Sequence, residues 1–243
     1  MSNLKPGEFR ITKKAMEKWD LPKGAAVLDI GCGRGESLEY LEKEFGYQGS
    51  GIDLSMVIIK EGKTRNPNLN IKYGDGEFLD DFSSFSFDGV MMECVLSLIN
   101  IPDEALHEAY CVLKKGGKLF ISDLYIKNPE PEFLKVLAFE AERQRSKPHK
   151  EGECGDDCAE EHKNRAVDFR SGGRFLMEPL LAQLEEIGYI NIYWEDCSRE
   201  LDTFVAEKIM NGDGLEQCFC NGALDPKDKH KTGYFMLTAE KAR

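Results

Sequence analysis

A glycine-rich turn near the start of the chain constrains the fold more than any other feature. The mostly apolar run at residues 27–30 ends in three glycines at alternate positions, Gly31, Gly33 and Gly35, and a helical pattern begins at once. Glycine lacks a Cβ and tolerates positive φ, so such a turn lets the backbone approach a ligand closely. A strand, a glycine-rich turn and a helix predict a nucleotide-type binding site. A dinucleotide fingerprint would need a glycine where this chain has Glu36, which disfavours a dehydrogenase.

Strand and helix patterns alternate along the rest of the chain. Several helical patterns close at glycines, at Gly46, at Gly116–Gly117 and at Gly188. Short strand patterns lie between them, at residues 51–55, 70–73, 88–92, 118–122, 189–195 and 234–238. Repeated units of this length predict an α/β fold, namely a Rossmann-like, doubly wound, mainly parallel sheet of about seven strands with helices on both faces.

Length and charge limit the organisation and the partners of the chain. Its 243 residues are expected to form one domain, residues 1–243, in which a polar stretch at 144–173 is an inserted lid and residues 174–243 complete the sheet. The net charge of −12 argues against a nucleic acid or an anionic membrane as partner, because both require clustered Lys and Arg. The chain has no long apolar run and no apolar signal core, so we expect a cytoplasmic protein.

Acidic residues follow three further strands, at the edge of the sheet where a ligand is expected. Asp53 closes the second strand, where an acid can accept hydrogen bonds from both ribose hydroxyls of a nucleotide. Asp75 and Gly76 follow the third strand, where the carboxylate can accept from an adenine amino group. Glu93 follows the fourth strand, beside the expected reaction centre. Asp53 alone also fits a helix cap and Asp75 with Gly76 alone fits a turn, but the order of the motifs along the sheet favours a binding site.

These four motifs, in this order, resemble those of the class I S-adenosylmethionine (SAM) methyltransferases of the small-molecule type, the group with the type-11 domain. The resemblance covers residues 22–125 and implies SAM as the cofactor and S-adenosylhomocysteine as the product. Residues 93–98 and 121–123 are also similar to arsenite methyltransferases and to bacterial methyltransferases of unclear substrate. The resemblance implies these cofactor-binding residues: Asp29, Gly31, Cys32, Gly33, Gly35, Asp53, Leu54, Asp75, Gly76, Glu77 and Glu93.

The chemistry of the cofactor sets what the protein must supply. A sulfonium methyl is already electrophilic, so the protein has to position the acceptor and exclude water. A neutral oxygen or nitrogen acceptor would also need a base, and the candidates are Glu93, Asp123, Tyr125, His107 and His162. His107 lies within a helical pattern and is expected at the surface. A thiolate or trivalent arsenic acceptor would need little proton chemistry.

Eight cysteines without a secretory signal predict free thiols in a reducing compartment. Candidate metal or metalloid ligands lie in the insert, after the sixth strand and before the last strand: Cys154, Cys158, Cys197, Cys218 and Cys220. Soft thiolates bind zinc or trivalent arsenic. The acids around the insert cysteines raise thiol pKa values, and free thiols on a surface loop are the competing interpretation. The remaining cysteines are expected to be small buried apolar side chains: Cys32, Cys94 and Cys111.

The sequence therefore predicts a SAM-dependent methyltransferase for a small-molecule acceptor. A methyltransferase for arsenite or another thiophilic acceptor is the first alternative, favoured by the clustered cysteines. A SAM-binding or metal-binding accessory protein without turnover is the second, favoured by the lack of an obvious base. The acceptor atom and the oligomeric state are left open.

Overall fold

The computed structural model describes residues 5–131, 134–135, 169–212 and 232–243. The strands are β1 (Ala26–Ile30), β2 (Gln48–Asp53), β3 (Ile71–Tyr73), β4 (Phe87–Glu93), β5 (Leu113–Ile126), β6 (Arg170–Ser171), β7 (Arg174–Phe175), β8 (Tyr189–Asp196) and β9 (Thr232–Lys241). The helices are α1 (Arg10–Trp19), α2 (Glu36–Phe45), α3 (Met56–Arg65), α4 (Pro102–Val112), α5 (Met177–Ile187) and α6 (Ser198–Met210), with a 3-10 turn at Leu96–Leu98. Within these ranges, no helix combines the length and the apolar character needed to cross a membrane.

One mixed sheet organises the molecule. Its main path runs β3-β2-β1-β4-β5-β9-β8, in which the first five strands are parallel and β9 is antiparallel to both of its neighbours. The two-residue strands β6 and β7 form a hairpin, which is joined to β5 through the pair Tyr125 and Phe175. This arrangement confirms the predicted Rossmann-like, mainly parallel, doubly wound fold.

The turn between β1 and α2 requires glycine. Gly31, Gly33 and Gly35 have φ values of 75°, 55° and 79°. A Cβ on Gly31 would lie 2.3 Å from Cγ2 of Val95, so a side chain there collides in addition to straining the backbone. The amides of Gly31 and Cys32 both donate to the carbonyl of Ile52, at 2.8 and 3.0 Å. These bonds hold the turn against β2.

Helices cover both faces of the sheet, as predicted. The cluster on one face includes Leu106 of α4 and Leu180 of α5. The cluster on the other face includes Trp19 of α1 and Leu201 of α6. Trp19 lies over Gly89 of β4, where a Cβ would be 2.5 Å from the indole ring. Helix α1 was not predicted; it has no side-chain cap and no acid in its first turn to mark where it begins.

The prediction for the start of β5 is wrong. Helix α4 ends at Val112 rather than at Gly116–Gly117, and β5 begins at the next residue. The pairing of β4 with β5 shifts register in this stretch, and Gly116 has a φ of 75°. The glycines therefore lie in an irregular part of a strand and do not end a helix. The predicted C-caps at Gly46 and Gly188 are confirmed, since both residues have left-handed φ at a helix end.

The predicted insert at 144–173 lies outside the described residues up to residue 168. Its last part is not a surface lid. Phe169 is 2% exposed and packs in the same cluster as Phe175, and Arg170–Ser171 forms the first strand of the hairpin. The final residues of the insert therefore belong to the packed core beside β5.

Candidate functional site

The carboxyl ends of three adjacent strands meet at the glycine turn. Asp29 lies in β1 opposite Gly51 of β2 and Met91 of β4. Asp53 ends β2, and Glu93 ends β4. The sheet order therefore brings the three predicted acids to one edge, beside the positive-φ glycines. Ligands bind at this position in open α/β sheets, where the strand order reverses.

Asp29 is the least compensated charge at this edge. The residue is 3% exposed, and none of the described residues donates a hydrogen bond to its carboxylate. Burial raises the pKa of Asp29 well above its ordinary value, the neighbouring Glu93 carboxylate raises it further, and Lys5 opposes the shift. A buried carboxylate without a donor is costly unless a positive charge balances it. The arrangement therefore favours a cationic ligand group at this point.

Asp53 links the glycine turn to the end of β2. One carboxylate oxygen accepts from the amide of Gly33 at 2.9 Å, and the other accepts from the amide of Ser55 at 2.8 Å. The Ser55 side chain in turn caps α3 by accepting from the amide of Ile58. The side chain of the adjacent Leu54 is exposed. Each oxygen of Asp53 keeps a further lone pair, so the carboxylate can still accept hydrogen bonds from a ligand.

The turn after β3 contains two neighbouring acids, Asp75 and Glu77, which have different hydrogen-bond partners. Asp75 accepts a hydrogen bond from the amide of Glu77 at 3.0 Å, which fixes the turn. Gly76 fits closely in this turn, because a Cβ there would lie 2.7 Å from Cγ2 of Ile30. Glu77 is buried, and its Oε1 accepts from the amides of residues 100 and 101 at 2.8 and 3.1 Å. The Glu77 carboxylate is therefore engaged by protein backbone.

The segment at residues 94–101, called here the β4 loop, is held from three sides. Glu77 binds its end. Asp123 binds its middle, because one carboxylate oxygen accepts from the amide of Ser97 at 2.9 Å while the other accepts from the amide of Leu124 at 2.8 Å. Arg170 donates to the carbonyls of Ser97, Ile99 and Asn100, at 2.9, 2.6 and 3.0 Å. Burial raises the pKa of Asp123 to about 6, against the lowering effect of these amides and of Arg170.

Glu93 is bound by three side chains from other elements. Lys5 forms an ion pair with it, Thr12 donates to one oxygen at 2.7 Å, and Ser37 donates to the other at 3.0 Å. The Glu93 side chain is 6% exposed. Lys5 also donates to the hydroxyls of Thr12 and Ser37. This network connects the N-terminal segment to the end of β4, and it leaves Glu93 poorly suited to act as a free base.

The other candidate bases are buried, already have a partner or lie outside the described residues. Tyr125 is buried, and burial followed by the charge of Asp196 raises its pKa to about 12. Asp123 uses both oxygens to hold backbone amides. His107 lies in α4 with Nε2 3.8 Å from Oδ1 of Asp103. His162 lies outside the described residues.

The cysteine predictions have mixed outcomes. Cys32 and Cys197 are buried and Cys94 is largely so, whereas Cys111 is exposed because it lies on the outer side of α4; the expectation for Cys111 is wrong. Burial raises the pKa of the Cys94 and Cys197 thiols to about 12. In the described ranges, no three His, Cys, Asp or Glu side chains lie together as metal ligands. The remaining candidates fall outside those ranges: Cys154, Cys158, Cys218 and Cys220.

The residues that hold the acids in place were not predicted. Lys5, Thr12 and Ser37 bind Glu93, and Arg170 binds the β4 loop. Their partners lie far away in sequence, so no local spacing marks them. A carboxylate at a strand end is visible in the sequence, whereas its distant counter-ion is not.

Comparisons with known proteins show similarity to methyltransferases over part of the chain. The family described as "Methyltransferase domain" matches residues 28–121. Over 124 residues the chain is 33% identical to an arsenite methyltransferase of Mus musculus, an alignment covering 45% of this chain and 33% of that protein. Over 100 residues it is 36% identical to a demethylmenaquinone methyltransferase of Renibacterium salmoninarum, covering 41% of each. The alignments thus span a third to two fifths of these relatives.

The solved structure of the cyclase SpnF has the same fold. It superposes with a TM-score of 0.66 at 22% identity, covering 96% of this chain and 81% of that one. Residues 28–121 thus match the methyltransferase domain in sequence, and their strand order and glycine turn are those that the resemblance to class I SAM methyltransferases predicts.

Proposed function

We propose that the protein transfers a methyl group from SAM to a small-molecule acceptor. Asp29 carries the proposal. It is a buried carboxylate beside the glycine turn, and it receives no hydrogen bond from any described residue. A ligand cation balances such a charge, and the methionine end of SAM carries an ammonium and a sulfonium. The unfavourable burial of Asp29 in the free protein becomes a favourable contact in the complex.

The remaining cofactor roles follow the order of the strands. Asp29 and the turn residues Gly31, Cys32, Gly33 and Gly35 are proposed to hold the methionine end. Asp53 is proposed to bind the ribose hydroxyls with its free lone pairs. Leu54 offers an exposed apolar side chain to the adenine ring, beside Asp75 and Gly76. Glu77 and Glu93 serve this site indirectly, by holding the β4 loop and the N-terminal segment.

Bound SAM supplies an electrophilic methyl group. The described residues supply position and charge, because Glu93 is paired with Lys5 and Asp123 is held by two amides. Neither carboxylate is a free base. An acceptor that reacts without losing a proton to the protein, such as a thiolate or trivalent arsenic, therefore suits the described part of the site better than a neutral hydroxyl or amine.

Calorimetry with S-adenosylhomocysteine tests the proposal. Asp53→Ala should weaken binding by more than about 1 kcal/mol, because the ribose hydroxyls lose a charged acceptor. Asp202→Ala is the matched control, since this acid lies exposed on α6. Melting of both ligand-free variants separates lost affinity from lost fold. Unchanged affinity in Asp53→Ala removes this residue from the site, and the absence of any binding heat in the unmodified protein overturns the proposal.

A thiophilic acceptor is the first alternative. It is supported by the similarity to the mouse protein named arsenite methyltransferase and by the sequence positions of Cys154 and Cys158. The double variant Cys154→Ser/Cys158→Ser should then lose methyl transfer to arsenite and keep its affinity for S-adenosylhomocysteine. Equal turnover of the variant and the unmodified protein excludes these two cysteines as substrate ligands.

A binding protein without methyl transfer is the second alternative. It is supported by the lack of a free base among the described carboxylates, since Glu93 is paired with Lys5 and Asp123 is held by two amides. Transfer of a labelled methyl group from SAM to any acceptor excludes it.

A further inference from the structure

A second concave site lies further along β5, away from the glycine turn. The last residue of β4 pairs with Ser122, and β5 continues to Ile126. Tyr125 is three residues beyond that pair, which places it about 10 Å further along the strand direction. Its ring occupies the space that a side chain at Gly233 would need, since a Cβ there would lie 2.2 Å from Cε1 of Tyr125. The neighbouring strand β9 is therefore shaped to admit this ring.

The cavity beside this ring, called here the Tyr125–Trp194 pocket, has a volume of about 370 Å³. This volume is within the range of small-molecule sites. The rings of Tyr125 and Trp194 meet edge to face, with centroids 5.7 Å apart and planes at 70°. Leu176 and Pro179, at the start of α5, form part of the wall. Trp194 keeps 36% of its surface exposed, so its ring is accessible to a ligand.

The charge at this pocket is acidic. Among the described residues that line it, Asp196 and Glu178 are acidic and Lys127 is the one lysine. One oxygen of Asp196 is fixed by the backbone amide of Ser198 at 2.8 Å and also accepts from the Ser198 hydroxyl. The other oxygen lies 3.8 Å from the ammonium of Lys127, a distance typical of a weak ion pair. Burial opposes ionisation of Asp196, but the hydrogen bonds from Ser198, the charge of Lys127 and the hydrogen bond from the Tyr125 hydroxyl together lower the pKa.

We infer that the Tyr125–Trp194 pocket binds a small organic cation of the alkylammonium class. Aromatic faces attract such cations through the ring quadrupole, and their methyl or methylene groups bury apolar surface at the same time. The fixed carboxylate of Asp196 supplies the counter-charge, and its weak partner Lys127 is readily displaced. Binding here does not depend on methyl transfer, so this site and the glycine turn can be tested separately.

Tryptophan fluorescence gives a direct readout. The chain has two tryptophans, and the other one, Trp19, is 2% exposed in the core. The probes are choline and its neutral isostere 3,3-dimethylbutan-1-ol, which share a shape and differ in charge. Choline should change the fluorescence saturably and bind about tenfold more tightly than the isostere. Trp194→Phe should abolish the change.

Asp196→Asn separates recognition of charge from recognition of shape. Asparagine keeps a carbonyl oxygen for the Ser198 amide, so the variant should fold. Its affinity for choline should fall about tenfold, while its affinity for the isostere and for S-adenosylhomocysteine should stay unchanged. Equal affinity of the unmodified protein for choline and the isostere, or no saturable change with choline, overturns the inference. If the unmodified protein does not bind S-adenosylhomocysteine, the proposed function fails, and the inference about the Tyr125–Trp194 pocket is not affected.

Discussion

Two sets of buried acids lie at the carboxyl edge of the sheet, and their surroundings are opposite. Glu77 and Asp123 each accept two backbone hydrogen bonds and hold the β4 loop. Asp29 is equally buried, but no described residue donates to it. In the sequence, all three acids lie close to the end of a predicted strand. The comparison teaches that the donors around a carboxylate, and not its position, separate an acid that stabilises the fold from one that is kept for a ligand.

The largest expected effect comes from removing an acid that holds the β4 loop. Asp123→Ala leaves the buried amides of Ser97 and Leu124 without an acceptor, so the free energy of unfolding should fall by about 3 kcal/mol. Urea denaturation measures this loss, and Asp202→Ala, on the exposed side of α6, should change stability by less than about 0.5 kcal/mol. A loss below about 1 kcal/mol in Asp123→Ala would contradict the assignment of a structural role.

Asp29→Asn should raise the stability of the ligand-free protein and weaken its affinity for S-adenosylhomocysteine. Without the buried charge, the ligand-free protein should melt at a higher temperature at pH 7, because the pKa of Asp29 is raised well above its ordinary value and ionisation opposes folding. Affinity for S-adenosylhomocysteine, which keeps the ammonium of SAM, should fall about tenfold because that group loses its counter-charge.

Thermal melting and calorimetry on the same sample measure both changes. Glu77→Gln serves as the control, since a neutral acceptor at that position should not raise the melting temperature. A variant at Asp29 that is less stable and binds as tightly as the unmodified protein would show that this acid belongs to the structural set.

The smallest effect is a difference in pH dependence. Burial raises the pKa of Asp123 to about 6 and that of Asp29 in the same direction. An acid whose pKa is higher in the folded protein adds stability when protonated, so its contribution is complete below its unfolded pKa of 3.8 and is lost as pH rises through the folded pKa. As the pH rises above about 4, the stability of Asp29→Asn should therefore rise relative to that of the unmodified protein, until the pH passes the raised pKa of Asp29 in the folded protein. Chemical denaturation across this window measures the difference, and parallel pH curves contradict the shift.

The sequence was sufficient for features that depend on local spacing. The glycines at positions 31, 33 and 35 and the caps at Gly46 and Gly188 need particular φ values, so glycine alone identified them. Features that depend on distant partners could not be predicted. Asp75 and Glu77 are two residues apart, yet only Glu77 reaches the β4 loop. The ion pair of Lys5 with Glu93 has no sequence signal, and the cytoplasmic, single-domain setting stays a prediction.

The position of β9 has a consequence for how the chain is made. β9 lies between β5 and β8, and among the described strands β8 pairs with β9 alone. A ribosome produces residues 189–196 before residues 232–241, so β8 has no hydrogen-bonding partner until β9 has emerged and reached β5. Until then the exposed edges of β5 and β8 are sites for aggregation or for chaperones. Assembly of this side of the sheet is therefore a late event in biosynthesis, well after the glycine turn has been made.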